Sequence, residues 1–326
     1  MVTLRGISNR LGMMKKYALY TLKSGKPPIY PDRLYIEATN TCNLNCIMCP
    51  KGRGEMERGE GIMSLDLFKS IMDEMGPHVK AVVLHIWGEP FLDPHIFEKI
   101  RYAKKYGVKT ELSTNVMLMD EQVVDQVFES GLDVIYLCMD GVTKETYEKY
   151  RCGGNYEQVM ERITHFIGQK NARGSLKPYT NLQIVDMRSN HDEIDEFRRR
   201  WSIKGVDHIN IKALDTWGGQ IDDIKELGEA GGEPTQERYH CPNLWYHAHI
   251  YWDGTLVCCD RDFEAAYPLG NVKDGVMKAW NGEKMAELRR KHCSLELDDV
   301  PSCSNCTEWS WWKPSLFRSW GNIPRK

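Results

Sequence analysis

From residue 33 onward the chain switches repeatedly between two hydrophobic periods. Short runs that are apolar throughout or at alternate positions read as strands over Arg33–Ala38, Lys80–Ile86, Val108–Ser113, Asp133–Cys138, Asn181–Asp186 and His208–Lys212. Between them apolar residues recur at helical spacing over Leu65–Met75, Pro94–Tyr106, Glu121–Ser130 and Asp192–Trp201. Asp93 before Pro94 marks a helix start, and Gly107 the corresponding stop. Strand–helix alternation of this kind predicts a parallel sheet. Six units are fewer than the eight that close a complete barrel, so a partial, open barrel and a doubly wound sheet both fit. In either, the loops after the strands share one rim. Those loops carry Cys42, Cys46 and Cys49, then Trp87–Pro90, Ser113–Asn115, Met139–Gly141 and Arg188–Asn190.

Beyond residue 225 the pattern changes. Gly228–Pro234 reads as a linker, and His247–Trp252, Asp253-Gly254 and Thr255–Cys259 read as a hairpin. The division expected is a helical extension over 1–32, an α/β core over 33–225 and a small cysteine-rich domain over 226–326. Residues before the first strand alternate Arg5, Arg10, Lys15, Lys16 and Lys23 with Leu11, Met14, Tyr17 and Leu22. That is a basic amphipathic helix, suited to packing across the open side of a partial barrel or to a membrane surface. No internal repeat or low-complexity segment stands out.

Composition narrows the partners. With 41% hydrophobic and 27% charged residues and a formal net charge of −3, the 326 residues describe a globular protein with no electrostatic reason to bind nucleic acid. No apolar run is long enough to span a membrane and no signal peptide opens the chain, which predicts a cytoplasmic protein. Eleven cysteines are many for a reducing compartment, and they cluster: three over 42–49, six over 241–306, with Cys138 and Cys152 scattered. Clustering there points to metal ligation.

The first cluster is spaced Cys-x3-Cys-x2-Cys. Structural zinc takes four ligands, usually from cysteine pairs two or four apart, and no fourth ligand is near. Three thiolates on a four-iron cluster leave one iron open, which is what a catalytic metal site requires. In the second region, Cys241, the Cys258-Cys259 pair and Cys303-x2-Cys306 suit a zinc ribbon and an iron–sulfur cluster equally on spacing.

With Gly88-Glu89-Pro90 after the second strand, the three-cysteine loop resembles the radical S-adenosylmethionine (SAM) superfamily over about residues 33–215. The resemblance implies a partial (β/α)6 barrel and a [4Fe–4S] cluster on Cys42, Cys46 and Cys49 whose open iron chelates SAM. It also implies SAM cleavage to a 5′-deoxyadenosyl radical, and an external one-electron reductant of flavodoxin or ferredoxin type. Residue by residue, Met48 stands at the adenine-contacting position, usually aromatic. Gly88 and Glu89 match the segment receiving the SAM amino group. Ser113 and Asn115 match residues near the ribose and methionine. Arg151, eleven residues after Asp140, matches the arginine that pairs with the SAM carboxylate; its alternative is a solvated surface arginine. Cys138 stands where relatives commonly have serine.

Cys241, Gly254-x4-Cys259 and Cys303-x2-Cys306 resemble the SPASM/twitch auxiliary domain, which implies one further [4Fe–4S] cluster on Cys241, Cys259, Cys303 and Cys306. Cys258 is the alternative to Cys259, and Cys293 is unassigned. The expected activity is oxidation of a small polar metabolite, a sugar- or aminocyclitol-like alcohol, with the auxiliary cluster taking an electron. The alternatives are an epimerase in which Cys138, or whichever of Cys258 and Cys259 does not bind iron, donates a hydrogen atom, a peptide maturase, and a zinc-stapled binding module. About 33 residues precede the first strand, short for an appended leader-peptide domain. Trp309, Trp311, Trp312 and Trp320 suit a substrate entrance or a buried interface.

Overall fold

The computed structural model describes residues 4–25, 30–228, 236–311 and 313–314. Six parallel strands follow one another as expected: β1 Arg33–Ile36, β2 Ala81–Val83, β3 Lys109–Thr114, β4 Val134–Cys138, β5 Tyr179–Asp186 and β6 His208–Ala213. The sheet continues past β1. β7 (His247–Ile250) pairs parallel with β1, and β8 (Thr255–Val257) and β9 (Gly270–Asn271) follow antiparallel, giving the order β6-β5-β4-β3-β2-β1-β7-β8-β9. β6 and β9 are its two edges, so the barrel is open. The doubly wound alternative, in which strand order reverses at a switch point, is not seen: β1 to β6 run in sequence across the sheet.

The helices form where apolar spacing and caps agree. Leu65–Met75 starts at Ser64, whose Oγ accepts the Leu67 N–H, and buries Phe68, Ile71, Met72 and Met75. Asp120 caps Glu121–Glu129 in the same way, and Lys144–Tyr150 and Tyr156–Ala172 start at Thr143 and Asn155. The helix expected over 94–106 is shorter, Ile96–Lys104. Asp93 does not cap it; its carboxylate accepts from His95 N and from the fully buried Lys99, which also donates to the Met63 carbonyl. A buried lysine must be paired, and the second carboxylate oxygen of Asp93 supplies that pair.

The amino-terminal helix runs Leu4–Thr21; side chains before residue 12 lie outside the described ones. Lys16 pairs with Asp32, and Tyr20 is buried against His240, Trp245 and Tyr246. The helix therefore docks on the segment leading into β7. Most of the expected linker, and Trp312 and Trp320, lie outside the described residues. Trp309 is buried and Trp311 partly exposed.

Candidate active site

A cavity of about 700 Å³ opens over the carboxyl ends of the strands. Every site residue expected from the sequence lines it. On one side stand Cys42, Cys46, Cys49 and Met48, with Gly88, Glu89, Ser113, Asn115, Cys138 and Arg151; on the other stand Cys241, Cys259, Cys303 and Cys306. Asp140 and the Arg188–Asn190 turn, also on strand-end loops, are absent from the wall and support it from behind.

Backbone contacts hold the first cysteine loop. Asn45 N donates to the Cys152 carbonyl, Ile47 N to Tyr150 and Glu89 N to Thr41. Two glycines permit this packing. A Cβ on Gly52 would sit 2.4 Å from Cys46 N, and one on Gly88 (φ 76°) 2.5 Å from the Thr41 carbonyl oxygen. At Gly88 the left-handed backbone and the close approach both demand glycine.

Glu89 is buried, with Oε1 accepting from Thr114 Oγ1 and Phe91 N and Oε2 from Asn115 N. Burial pushes its carboxyl up to about 7, against the pull of those hydrogen bonds. Asn115 in turn donates to Asn43 Oδ1, with Cys42 Sγ at 3.8 Å. Glu89 thus ties the second and third strand ends to the cysteine loop.

Arg151 is not a surface residue. Its Nε and Nη2 both reach Asp140 Oδ2 at 2.6 Å, and Nη1 lies 3.7 Å from Cys46 Sγ. The Asp140 side chain is fully buried and its other oxygen accepts the Val185 N–H. Burial pushes the Cys46 thiol up to about 12, with Arg151 opposing the shift. Met48 is buried with Leu44, Tyr150 and Met187, and its carbonyl accepts Trp217 Nε1. Trp217 packs against Trp87 and covers the loop. Cys138 Sγ sits between Ser113 Oγ at 3.1 Å and Gln183 Nε2 at 3.4 Å, and burial raises its pKa, which keeps it a thiol.

On the carboxy-terminal side Cys258 and Cys259 differ in their access to the cavity. Both side chains belong to the main core; Cys259 lines the cavity, while Cys258 does not line it but keeps its Sγ 4.0 Å from Cys259 Sγ and beside Ser302 Oγ. Cys258 thus stands directly behind the cavity wall. Burial also pushes Cys241 up to about 12. Arg261 bridges Asp215 and Asp260, and Glu308 accepts from Thr216 and Cys306, so salt links and hydrogen bonds bind the end of β6 to the Cys303–Cys306 segment. Among the described residues no three His, Cys, Asp or Glu side chains converge closely enough to hold a single ion. The thiols instead ring a space from two sides. An all-cysteine donor set of three and of four suits iron–sulfur cubanes.

Sequence reading missed the cavity's polar wall. Lys212 on β6 lines it and makes no hydrogen bond or ion pair among the described residues; His85 and His249 line it with Nδ1 unpartnered, and Asn210 donates to Gln183. Their inward positions at strand ends were the available signal, but alternation alone does not say which face is the barrel interior.

Residues 36–199 match the radical SAM superfamily and residues 241–307 match the SPASM iron–sulfur cluster-binding domain. A tungsten-containing aldehyde ferredoxin oxidoreductase cofactor-modifying protein of Pyrococcus furiosus is 26% identical, over 89% of this chain and 92% of that protein. The mycofactocin maturase MftC of Mycobacterium tuberculosis is 25% identical, over 49% of this chain and 39% of the maturase. BtrN, solved in complex with AdoMet and 2-DOIA, shares the fold with a TM-score of 0.58 at 16% identity, covering 85% of this chain and 92% of that one.

Proposed function

The chain belongs to the radical SAM superfamily and carries a SPASM domain, and from that premise we propose that it oxidises a small polar substrate held between its two cysteine sets. The observation that carries this reading is that, among the described residues, one cavity is lined by both sets. Cys42, Cys46 and Cys49 would hold the SAM-binding [4Fe–4S] cluster, and Cys241, Cys259, Cys303 and Cys306 the auxiliary one. When bound, SAM and the two clusters supply a hydrogen-abstracting 5′-deoxyadenosyl radical and an acceptor for the electron that oxidation releases.

The chain's own residues position and shield. Arg151, fixed by Asp140, offers Nη1 and Nη2 edges for the SAM carboxylate. Glu89 fixes the loop that would receive the amino group. Trp217 and Trp87 keep water from the first loop. Lys212, His85 and His249 carry unpartnered polar atoms that would meet acceptor and donor groups of the substrate, a hydroxylated metabolite or a cofactor precursor. The full-length similarity to a cofactor-modifying protein supports a small-molecule substrate over a peptide.

An epimerase is the second reading, and Cys138 favours it. A protonated thiol in the cavity wall can return a hydrogen atom, and Cys138 is in that wall whereas Cys258 is not. Reaction in deuterated water separates the two. The oxidation yields a product two hydrogens poorer with no solvent deuterium at the reacting carbon. One deuterium there, with the oxidation state unchanged, would overturn it.

A pH dependence follows from Glu89. A SAM ammonium group nearby favours the ionised carboxylate, so bound SAM lowers the Glu89 pKa from its value of about 7. SAM affinity should therefore rise as pH increases through about 7 and level off above it, and Glu89→Gln should flatten that rise. Equilibrium SAM binding at three pH values checks it; an identical slope in the variant removes Glu89 from the site.

A further inference from the structure

The helix Glu283–Ser294 carries His292, which is 3% exposed and lines the cavity together with Cys241 and Cys303. Its Nδ1 accepts the backbone N–H of Cys241 at 3.4 Å. A ring nitrogen that accepts a hydrogen bond carries no proton, so the proton of this imidazole is on Nε2. The assignment is forced, because a backbone amide can only donate. Nε2 is buried and has no partner among the described residues. A buried N–H without an acceptor is costly, and buried polar groups are almost always paired. The acceptors this wall would gain on cluster binding are sulfurs.

We propose that His292 donates its Nε2–H to a sulfur of the auxiliary [4Fe–4S] cluster and raises that cluster's reduction potential. This rests on the reading that Cys241, Cys259, Cys303 and Cys306 hold the cluster. The physical reason is electrostatic. One-electron reduction adds a negative charge spread over the sulfurs, and a donor aimed at them stabilises the reduced form more than the oxidised one. His292 therefore makes the site a better electron acceptor. The same tautomer removes His292 as an iron ligand, since Nε2 has no free lone pair while Nδ1 holds the Cys241 amide. Arg238, also in this wall, donates one N–H each from Nη1 and Nη2 to the Ser304 and Cys303 carbonyls, two of its five N–H groups.

The test is a redox titration followed by electron paramagnetic resonance in a chain whose first-loop cysteines are alanine, so that the auxiliary cluster alone is read. His292→Asn keeps an acceptor near Nδ1 and loses the donor. His292→Gln keeps an N–H near Nε2. The expected result is a midpoint lowered in His292→Asn, by about 59 mV for a tenfold weaker one-electron reduction, and largely restored in His292→Gln. Equal midpoints in parent and His292→Asn, with full iron and sulfide in both, would overturn the proposal. Absence of iron in the parent would instead overturn the auxiliary-site reading. Should both variants lose the cluster, isotopically labelled histidine in the native-His292 chain decides. A nitrogen hyperfine coupling on the reduced auxiliary cluster is expected, and its absence overturns the proposal.

Discussion

Replacing Cys42, Cys46 and Cys49 together with alanine is expected to leave a folded chain that holds about four irons instead of about eight and forms no 5′-deoxyadenosine, on cubane stoichiometry. Folding should survive because the loop's position does not depend on its thiols. Asn45 and Ile47 bond through their backbones to Cys152 and Tyr150, Arg53 donates to the Ile47 carbonyl, and Gly52 packs on the Cys46 backbone. The large effect is therefore chemical, since the open iron that would bind SAM goes with the three thiolates. Iron and sulfide analysis after anaerobic reconstitution, with chromatography of the SAM products, reads both halves. Residual 5′-deoxyadenosine would show that the first loop does not hold the SAM-cleaving centre, and zinc in place of iron would return the domain to a stapled binding module.

The second large effect is expected at Arg151. Removing it strands Asp140, whose side chain is fully buried and keeps only the Val185 amide as a partner for its carboxylate oxygens. Breaking a buried pair from one side typically costs about 3–5 kcal/mol, because the remaining charge is uncompensated. Arg151→Ala should thus lower the melting temperature as well as weaken SAM binding, the latter by about 2–5 kcal/mol where a buried charge-assisted contact is lost. The double variant Arg151→Ala with Asp140→Asn separates the two, since it no longer buries a lone charge. Stability should recover in it while SAM affinity stays low. Arg151→Lys keeps the charge but lacks the planar fork, so it should fold and still bind SAM poorly. If SAM affinity is unchanged in the stabilised double variant, Arg151 is a structural partner of Asp140 and does not meet the cofactor.

The sequence by itself determined the parts whose information is local. Apolar period and caps define Leu65–Met75 and Glu121–Glu129 to within a residue, and the six strands appear where alternation placed them. The chemistry was equally local, because three cysteines within eight positions leave few alternatives. The helix expected from Pro94 starts at Ile96, after a turn in which Asp93 accepts from His95 N and Ile96 N while its second carboxylate oxygen pairs the buried Lys99. Tertiary structure decided the rest. That β7 continues the sheet beside β1 is a pairing between residues more than two hundred positions apart, which no local pattern encodes. Cys258 and Cys259 follow β8 in a bend that holds their Sγ atoms 4.0 Å apart, and only Cys259 is on the cavity wall, which the sequence could not say. Arg151 stands in the sequence between a SAM-carboxylate partner and a surface arginine until the fold buries Asp140 beneath it, and His292 reads as one more polar residue among Arg289, Arg290 and Lys291 until Cys241 is placed against its ring. Period and composition fix what each segment becomes; only burial against distant segments fixes which polar atoms are left without water and therefore available to a cofactor.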